Sequence, residues 1–180
     1  MRVFAAVSIL VALLAGAQAA RAASCICSPD PFENRWNKVN TVFTGTVQSI
    51  DEMHEYLRKA NANDIPVRVT MKVTESFKGA AKKDEKFELL TSLTVDTCTG
   101  HPFEKGGEYI VWGYRREEGA YEAWSLYNMP SGTYDVGGLC GGTKKLSDEK
   151  ATAEIALIRK KLEDQAEEKP KGLFEKMFGN

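Results

Sequence analysis

Val67-Arg68-Val69-Thr70-Met71-Lys72-Val73-Thr74-Glu75-Ser76-Phe77 is the stretch on which the fold turns. Val67, Val69, Met71 and Val73 alternate with Arg68, Thr70, Lys72 and Thr74. Successive strand side chains point to opposite faces, so this period of two predicts a strand with one buried and one solvated face. Lys78-Gly79 then turns the chain. Upstream, residues 39–50 predict a strand rich in Val, Thr and Phe, with Gly45 as a bulge or sharp bend. Residues 51–64 between them are polar and read as a long connection or a short helix with a turn, carrying His54 on a solvated face. Downstream, strands are predicted over 86–93, over 108–114 after the Gly106-Gly107 turn, and over 121–127 after a charged turn. Glycine-rich chain follows from 132 to 142, with Cys140 inside it. Five short strands with glycine turns predict a mainly β domain, a small barrel or a sandwich.

The ends read differently. Cys25-Ile26-Cys27-Ser28-Pro29-Asp30-Pro31 is a stiff non-helical arm, because two prolines favour extended geometry. After the glycine-rich run, Ser147 is the expected N-cap of a helix, with Asp148 and Glu149 in its first turn. Ala151, Ile155, Ile158 and Leu162 recur at helical spacing and predict a stripe packed on the sheet. Pro170 and Gly172 are expected to end the helix, so that residues 169–180, with Leu173, Phe174, Met177 and Phe178, form a flexible tail.

Residues 1–24 read as a signal peptide. Arg2 precedes an apolar run from 3 to 15 and then a series of small residues. Cleavage before Ala20, Ala23 or Cys25 fits the small-x-small pattern. Export to a secreted or periplasmic location is therefore expected, with residues 25–168 as one domain; a membrane contact arises only if Cys25 is lipidated. The precursor has 24 basic and 25 acidic residues, and losing Arg2 and Arg21 takes the net charge from −1 to −3. That balance speaks against nucleic acid as a partner.

Four cysteines in an oxidising compartment predict two disulfides. A Cys25–Cys27 ring is too tight, which leaves two pairings of the arm cysteines with Cys98 and Cys140. Either pairing ties the arm down at two places, with each long loop contributing about 3–4 kcal/mol. No nucleophile elbow, H-E-x-x-H or P-loop is present, so the chain is not expected to be an enzyme, and no cofactor is expected. His101, next to Pro102, reads as an exposed loop residue. The charged run Lys82-Lys83-Asp84-Glu85-Lys86 reads as a solvated turn, and Trp36, Trp112 and Trp124 read as core or half-core residues.

Cys25-Ile26-Cys27-Ser28-Pro29 at a mature N-terminus resembles the start of the tissue inhibitors of metalloproteinases. Val42-Phe43-Thr44-Gly45-Thr46-Val47 is similar to the family's first strand, and residues 69–79 to its second strand and turn. Thr97-Cys98-Thr99-Gly100, residues 108–113, and Cys140 followed by a helix continue the order. The resemblance covers about residues 25–160. It implies a netrin-like OB-fold, a five-stranded barrel with a flanking C-terminal helix, and the pairing Cys25–Cys98 with Cys27–Cys140. Three features depart from the family: its third N-domain disulfide and its C-terminal disulfide-rich subdomain have no counterpart, and Ile26 replaces the usual Thr or Ser.

The resemblance also implies a function, inhibition of a zinc metalloprotease. The inhibitor holds no metal of its own. A free α-amine has a pKa of about 7.7–8.0, so part of it is neutral near pH 7. That amine and the Cys25 carbonyl would chelate the target's zinc and displace its water. Ile26 would enter the adjoining specificity pocket, where burial is worth about 1.5–3 kcal/mol. Cys27, Ser28 and Pro29 would lie along the cleft, with Asp96, Thr97 and Thr99 as a second contact loop. The alternative is a netrin-like protein-binding module that needs no free amine.

Overall fold

The computed structural model describes Cys27 and residues 30–54, 66–93, 100–116 and 131–178, with side chains as far as residue 167. The signal segment, Cys25, Ile26, Ser28, Pro29, the 94–99 loop and the expected strand at 121–127 with Trp124 lie outside the described residues.

The predicted alternation at 67–73 becomes a long antiparallel hairpin arm. Strand β1 (Thr41–Glu52) pairs with β2 (Pro66–Lys78), and β2 pairs with β3 (Lys86–Ser92). On its other edge β1 pairs with β4 (Glu108–Arg115). Two short strands that the sequence did not signal, β5 (Tyr134–Asp135) and β6 (Lys144–Lys145), share the far edge of β4. The result is a six-stranded antiparallel sheet of order β3-β2-β1-β4-β5, with β6 also on β4.

The sheet is strongly coiled. The β1–β2 register slips between Val42 and Phe43, Thr44 and Gly45, and Val47 and Ser49. Each such irregularity bends a strand and increases its twist. At Gly45, a Cβ would lie 2.8 Å from the carbonyl oxygen of Lys72, so only glycine lets β1 and β2 approach this closely. Coiling brings the two ends of the strand order together: the rings of Phe87 on β3 and Tyr134 on β5 are 4.9 Å apart.

Two apolar layers flank the sheet. The inner one collects Phe43, Val47, Val69, Met71, Val73, Leu89, Phe103, Tyr109 and Val111. The outer one collects Trp36, Val42, Phe77, Ile110, Trp112, Ala151 and Ile158 beneath two helices. Strand β4 feeds both, with Tyr109 and Val111 inward and Ile110 and Trp112 outward. Burial on both faces explains its unbroken apolar run, whereas β2 is solvated on one.

Helix α1 (Phe32–Lys38) was not apparent in the sequence. Seven residues are too few to show periodicity or to hold a helix alone. Tertiary contacts hold it instead. Trp36 packs edge-on against Trp112, with ring centroids 6.3 Å apart. Lys78 Nζ donates to the carbonyls of Trp36 (2.5 Å) and Val39 (2.7 Å) at the helix C-terminus, where a cation is favoured.

Helix α2 (Glu149–Phe178) carries the expected stripe: Ala151 and Ile158 are fully buried, and Ile155 and Leu162 pack beside them. Two expectations about this helix are corrected. Its first turn is capped by Asp148, whose Oδ1 accepts from the Lys150 N–H at 2.9 Å, and not by Ser147. Both residue types cap well, and the register of the buried stripe selects the later one. The helix also continues through Pro170 and Gly172 to Phe178. A proline removes one donor and crowds the preceding turn, which can kink a helix without ending it.

Candidate functional site

Of the residues assigned to the zinc-chelating N-terminus, 25–29, the structure describes Cys27, and it places that residue against the glycine-rich run. Cys27 and Cys140 form a disulfide, with Cα atoms 5.3 Å apart. Both residues are exposed. Cys140 ends a one-turn 3-10 helix (Gly138–Cys140) within the excursion between β5 and β6.

That excursion is tightly positioned. Because β5 and β6 take the two ends of one β4 edge, the backbone between them lacks a strand partner. Thr143 Oγ1 fills the gap, accepting from the Trp112 N–H at 3.0 Å. Asp135 Oδ1 accepts from the Gly137 N–H at 2.8 Å and shapes the turn into the 3-10 helix. Gly142 has φ +98°, and a Cβ there would meet Arg35 Cδ at 2.7 Å. Glycine at 142 therefore admits both the left-handed conformation and the Arg35 side chain.

Arg35 is the centre of a charged cluster that the sequence reading missed. Its guanidinium lies 4.4 Å from the Trp112 ring centroid and pairs with Glu154 of α2. Lys144 Nζ of β6 reaches the same carboxylate at 2.7 Å. The Glu154 side chain is 7% exposed, the Arg35 side chain 15% and the Lys144 side chain 21%. Burial pushes both cationic groups below their ordinary pKa; for Lys144 the neighbouring Arg35 adds to it. A signal for this cluster does exist in the sequence: Glu154 falls within the apolar stripe of α2, three residues after Ala151 and four before Ile158. An acid on a buried face needs a buried counter-ion.

The second half of the expected contact surface is the 94–99 loop with Asp96, Thr97, Cys98 and Thr99, outside the described residues. Its two flanks are described, and the His101 N–H donates to the Ser92 carbonyl at 2.8 Å. Here the sequence expectation for His101 is corrected. His101 is 7% exposed, not a surface loop residue. Its ring packs on Phe103 and Tyr109, with centroids 4.7 and 5.8 Å away. Burial lowers its pKa to about 4, so the ring is neutral near pH 7 and behaves as an aromatic core residue. His54, in contrast, sits where it was expected, exposed beside Glu52 at 2.9 Å.

A surface groove of about 730 Å³ joins these parts. Cys27 and Cys140 stand on it together with His101 and Pro102, so the bridge and the stem of the 94–99 loop share one groove. Lys144, Lys145 and Lys150 also face it. Among the described residues, no group of three or more His, Cys, Asp or Glu is disposed to hold a metal ion. Among them too, no helix is long and apolar enough to cross a membrane. Compared with known families and characterised proteins, the chain matches no family model and no characterised protein.

Proposed function

We propose that this chain is an exported inhibitor of zinc metalloproteases that presents the α-amine and carbonyl of Cys25 to the target's catalytic zinc. The observation that carries this reading is the groove on which the Cys27–Cys140 bridge and the His101–Pro102 stem meet. Cys27 and the described flank of the expected second contact, His101–Pro102, line one groove, which supports a wedge built from both segments. The covalent bridge pre-orders the arm, so less freedom is lost on binding. Signal removal directly ahead of Cys25 is part of the proposal, because one further residue would turn the chelating amine into an amide. Ile26 then fills the pocket beside the zinc, and Asp96, Thr97 and Thr99 supply the second contact.

The fold behind the wedge is read as a netrin-like OB barrel. The bulged β1 and the approach of Phe87 to Tyr134 support closure of the coiled sheet.

The test begins with the intact mass and N-terminal sequence of the exported protein, followed by titration of a panel of zinc proteases with native and N-acetylated protein. The expected outcome is a chain starting at Cys25 that inhibits at least one protease and loses at least about a hundredfold in affinity on acetylation, because the zinc chelate is abolished. Equal binding by the acetylated protein would instead make it a netrin-like binding module, and a chain starting at Ala20 or Ala23 would remove the chelating amine altogether.

A further inference from the structure

The bridge alone does not fix the segment at Cys27 relative to the Cys140 turn. A disulfide is one pin, and the segments it joins can pivot about its torsions. A second pin lies close by and connects the same two segments. Arg35 belongs to α1, the element that directly follows the arm, and its backbone N–H donates to the Pro31 carbonyl at 3.1 Å. Lys144 belongs to β6, the strand that directly follows the Cys140 turn. Both side chains converge on the buried carboxylate of Glu154.

We propose that Arg35, Glu154 and Lys144 form a positioning device for Cys27 and the Cys140 turn, a non-covalent pin that works with the Cys27–Cys140 bridge to hold the two bridged segments together. The arm's use in inhibition rests on the function proposed above; the device itself does not.

Several features support a positioning role. Glu154 is the shared partner of two cations, so it ties β6 and α1 to α2 at a single point. The Arg35 side chain passes over Gly142, two residues beyond Cys140, and the absence of a Cβ there lets it reach Trp112 and Glu154. Thr143, between Gly142 and Lys144, is held by its bond to the Trp112 N–H. The chain from Cys140 to Lys144 is thus fixed to the same tryptophan on which Arg35 lies. On the arm side, Lys38 Nζ holds Asp30 at 3.0 Å, which ties that residue, three after Cys27, back to α1.

Glu154→Gln retains the volume and removes the charge that gathers Arg35 and Lys144. The measurement uses the full exported protein and reads the rate at which dithiothreitol reduces the exposed Cys27–Cys140 bridge, followed by alkylation and peptide mapping of Cys27. In the variant, reduction is expected to be about tenfold faster, because with the two segments held less firmly the released thiol re-attacks the mixed disulfide less often. A control separates positioning from general weakening. Ile158→Val trims the same helix face one turn beyond Glu154 and removes no charge; it should lower the urea midpoint and leave the reduction rate within about twofold of wild type.

If Glu154→Gln does not fold, Lys144→Met decides, since it leaves the Arg35–Glu154 pair intact. A rise of about threefold in its bridge reduction rate supports the pin. A wild-type rate in a folded Glu154→Gln variant, or in Lys144→Met where it decides, overturns the proposal, as does an equal acceleration in Ile158→Val. Protease titration is read separately. Failure of the wild-type protein to inhibit any zinc protease removes the proposed function, while the reduction rates still judge the pin.

Discussion

The two faces of the sheet are built on different physics. The inner layer is apolar and aromatic: Phe43, Val69, Met71, Leu89 and Val111 pack there, and His101 joins its Phe103–Tyr109 edge as a neutral ring. The outer layer is just as enclosed around Trp112 but contains a carboxylate and two cations. Shape dominates the inner layer, where the Tyr109 hydroxyl accepts from the Glu104 N–H at 3.0 Å. The outer one adds directional contacts, with a cation over an indole ring and an acid shared by two bases. A purely apolar layer tolerates repacking; a paired one loses heavily when a single member is removed. The difference teaches that the fold confines its charge-dependent precision to the face that carries the arm.

The largest expected effect sharpens this contrast. Trp112→Ala should destabilise the protein by about 4 kcal/mol, and Leu89→Ala on the inner face by about 3 kcal/mol, measured by urea unfolding. Only the first also removes the ring beneath Arg35, so only it should increase the mobility of the Cys140 turn in amide exchange. Equal exchange in the two variants would break the comparison.

A second prediction concerns His101, at the edge of the inner layer. The His101 pKa falls to about 4 in the folded state from an ordinary value of 6.5. The unfolded chain therefore takes up this proton first as the pH drops. Stability from neutral His101 is complete above about pH 6.5 and is lost as the pH falls toward 4, by on the order of 3 kcal/mol. His101→Phe should flatten that part of the pH–stability curve, recorded by urea midpoints from pH 7.5 to 4. An unchanged slope would mean that the proton is not taken up at this site.

The smallest effect lies outside both layers. Arg159 of α2 pairs with Glu75 of β2 at 2.8 Å, in the open. Arg159→Met should leave the urea midpoint essentially unchanged, because exposed ion pairs are weak and screened by solvent. A lowered midpoint would mean that surface charge also holds the helix, and that the outer layer does not end at Glu154.

Much of the sheet was legible because alternation is a local signal. Strands β1 to β4 lie where Val67, Val69, Met71 and Val73 and their neighbours predicted them, within a few residues. The stripe Ala151, Ile155, Ile158 and Leu162 was equally readable. The elements that escaped are those whose stability is not local. β5 and β6 have two residues each and exist only as partners of β4. α1 exists because Trp36 has Trp112 to pack on and Lys78 to cap it. His101 was misjudged because proximity to Pro102 suggests a loop, while its burial depends on aromatic rings that come together only in the fold. At the site, the C-x-C arm drew attention to itself; the charged cluster needed three distant segments to meet.

The disulfide has a consequence for covalent topology. Cys27 and Cys140 are 113 residues apart, so the bond makes a ring of the chain that encloses α1 and strands β1 to β5. Among the described elements, only β6 and α2 hang outside that ring. A protease that nicks any one loop within the ring opens it without shedding a fragment, and the two pieces remain one molecule. A single cut between Cys140 and Glu149 has no such tether, and severs the helix that carries Glu154. For a protein proposed to meet proteases, the sheet is thus protected against a first cleavage, and the point of vulnerability is the short connection into α2.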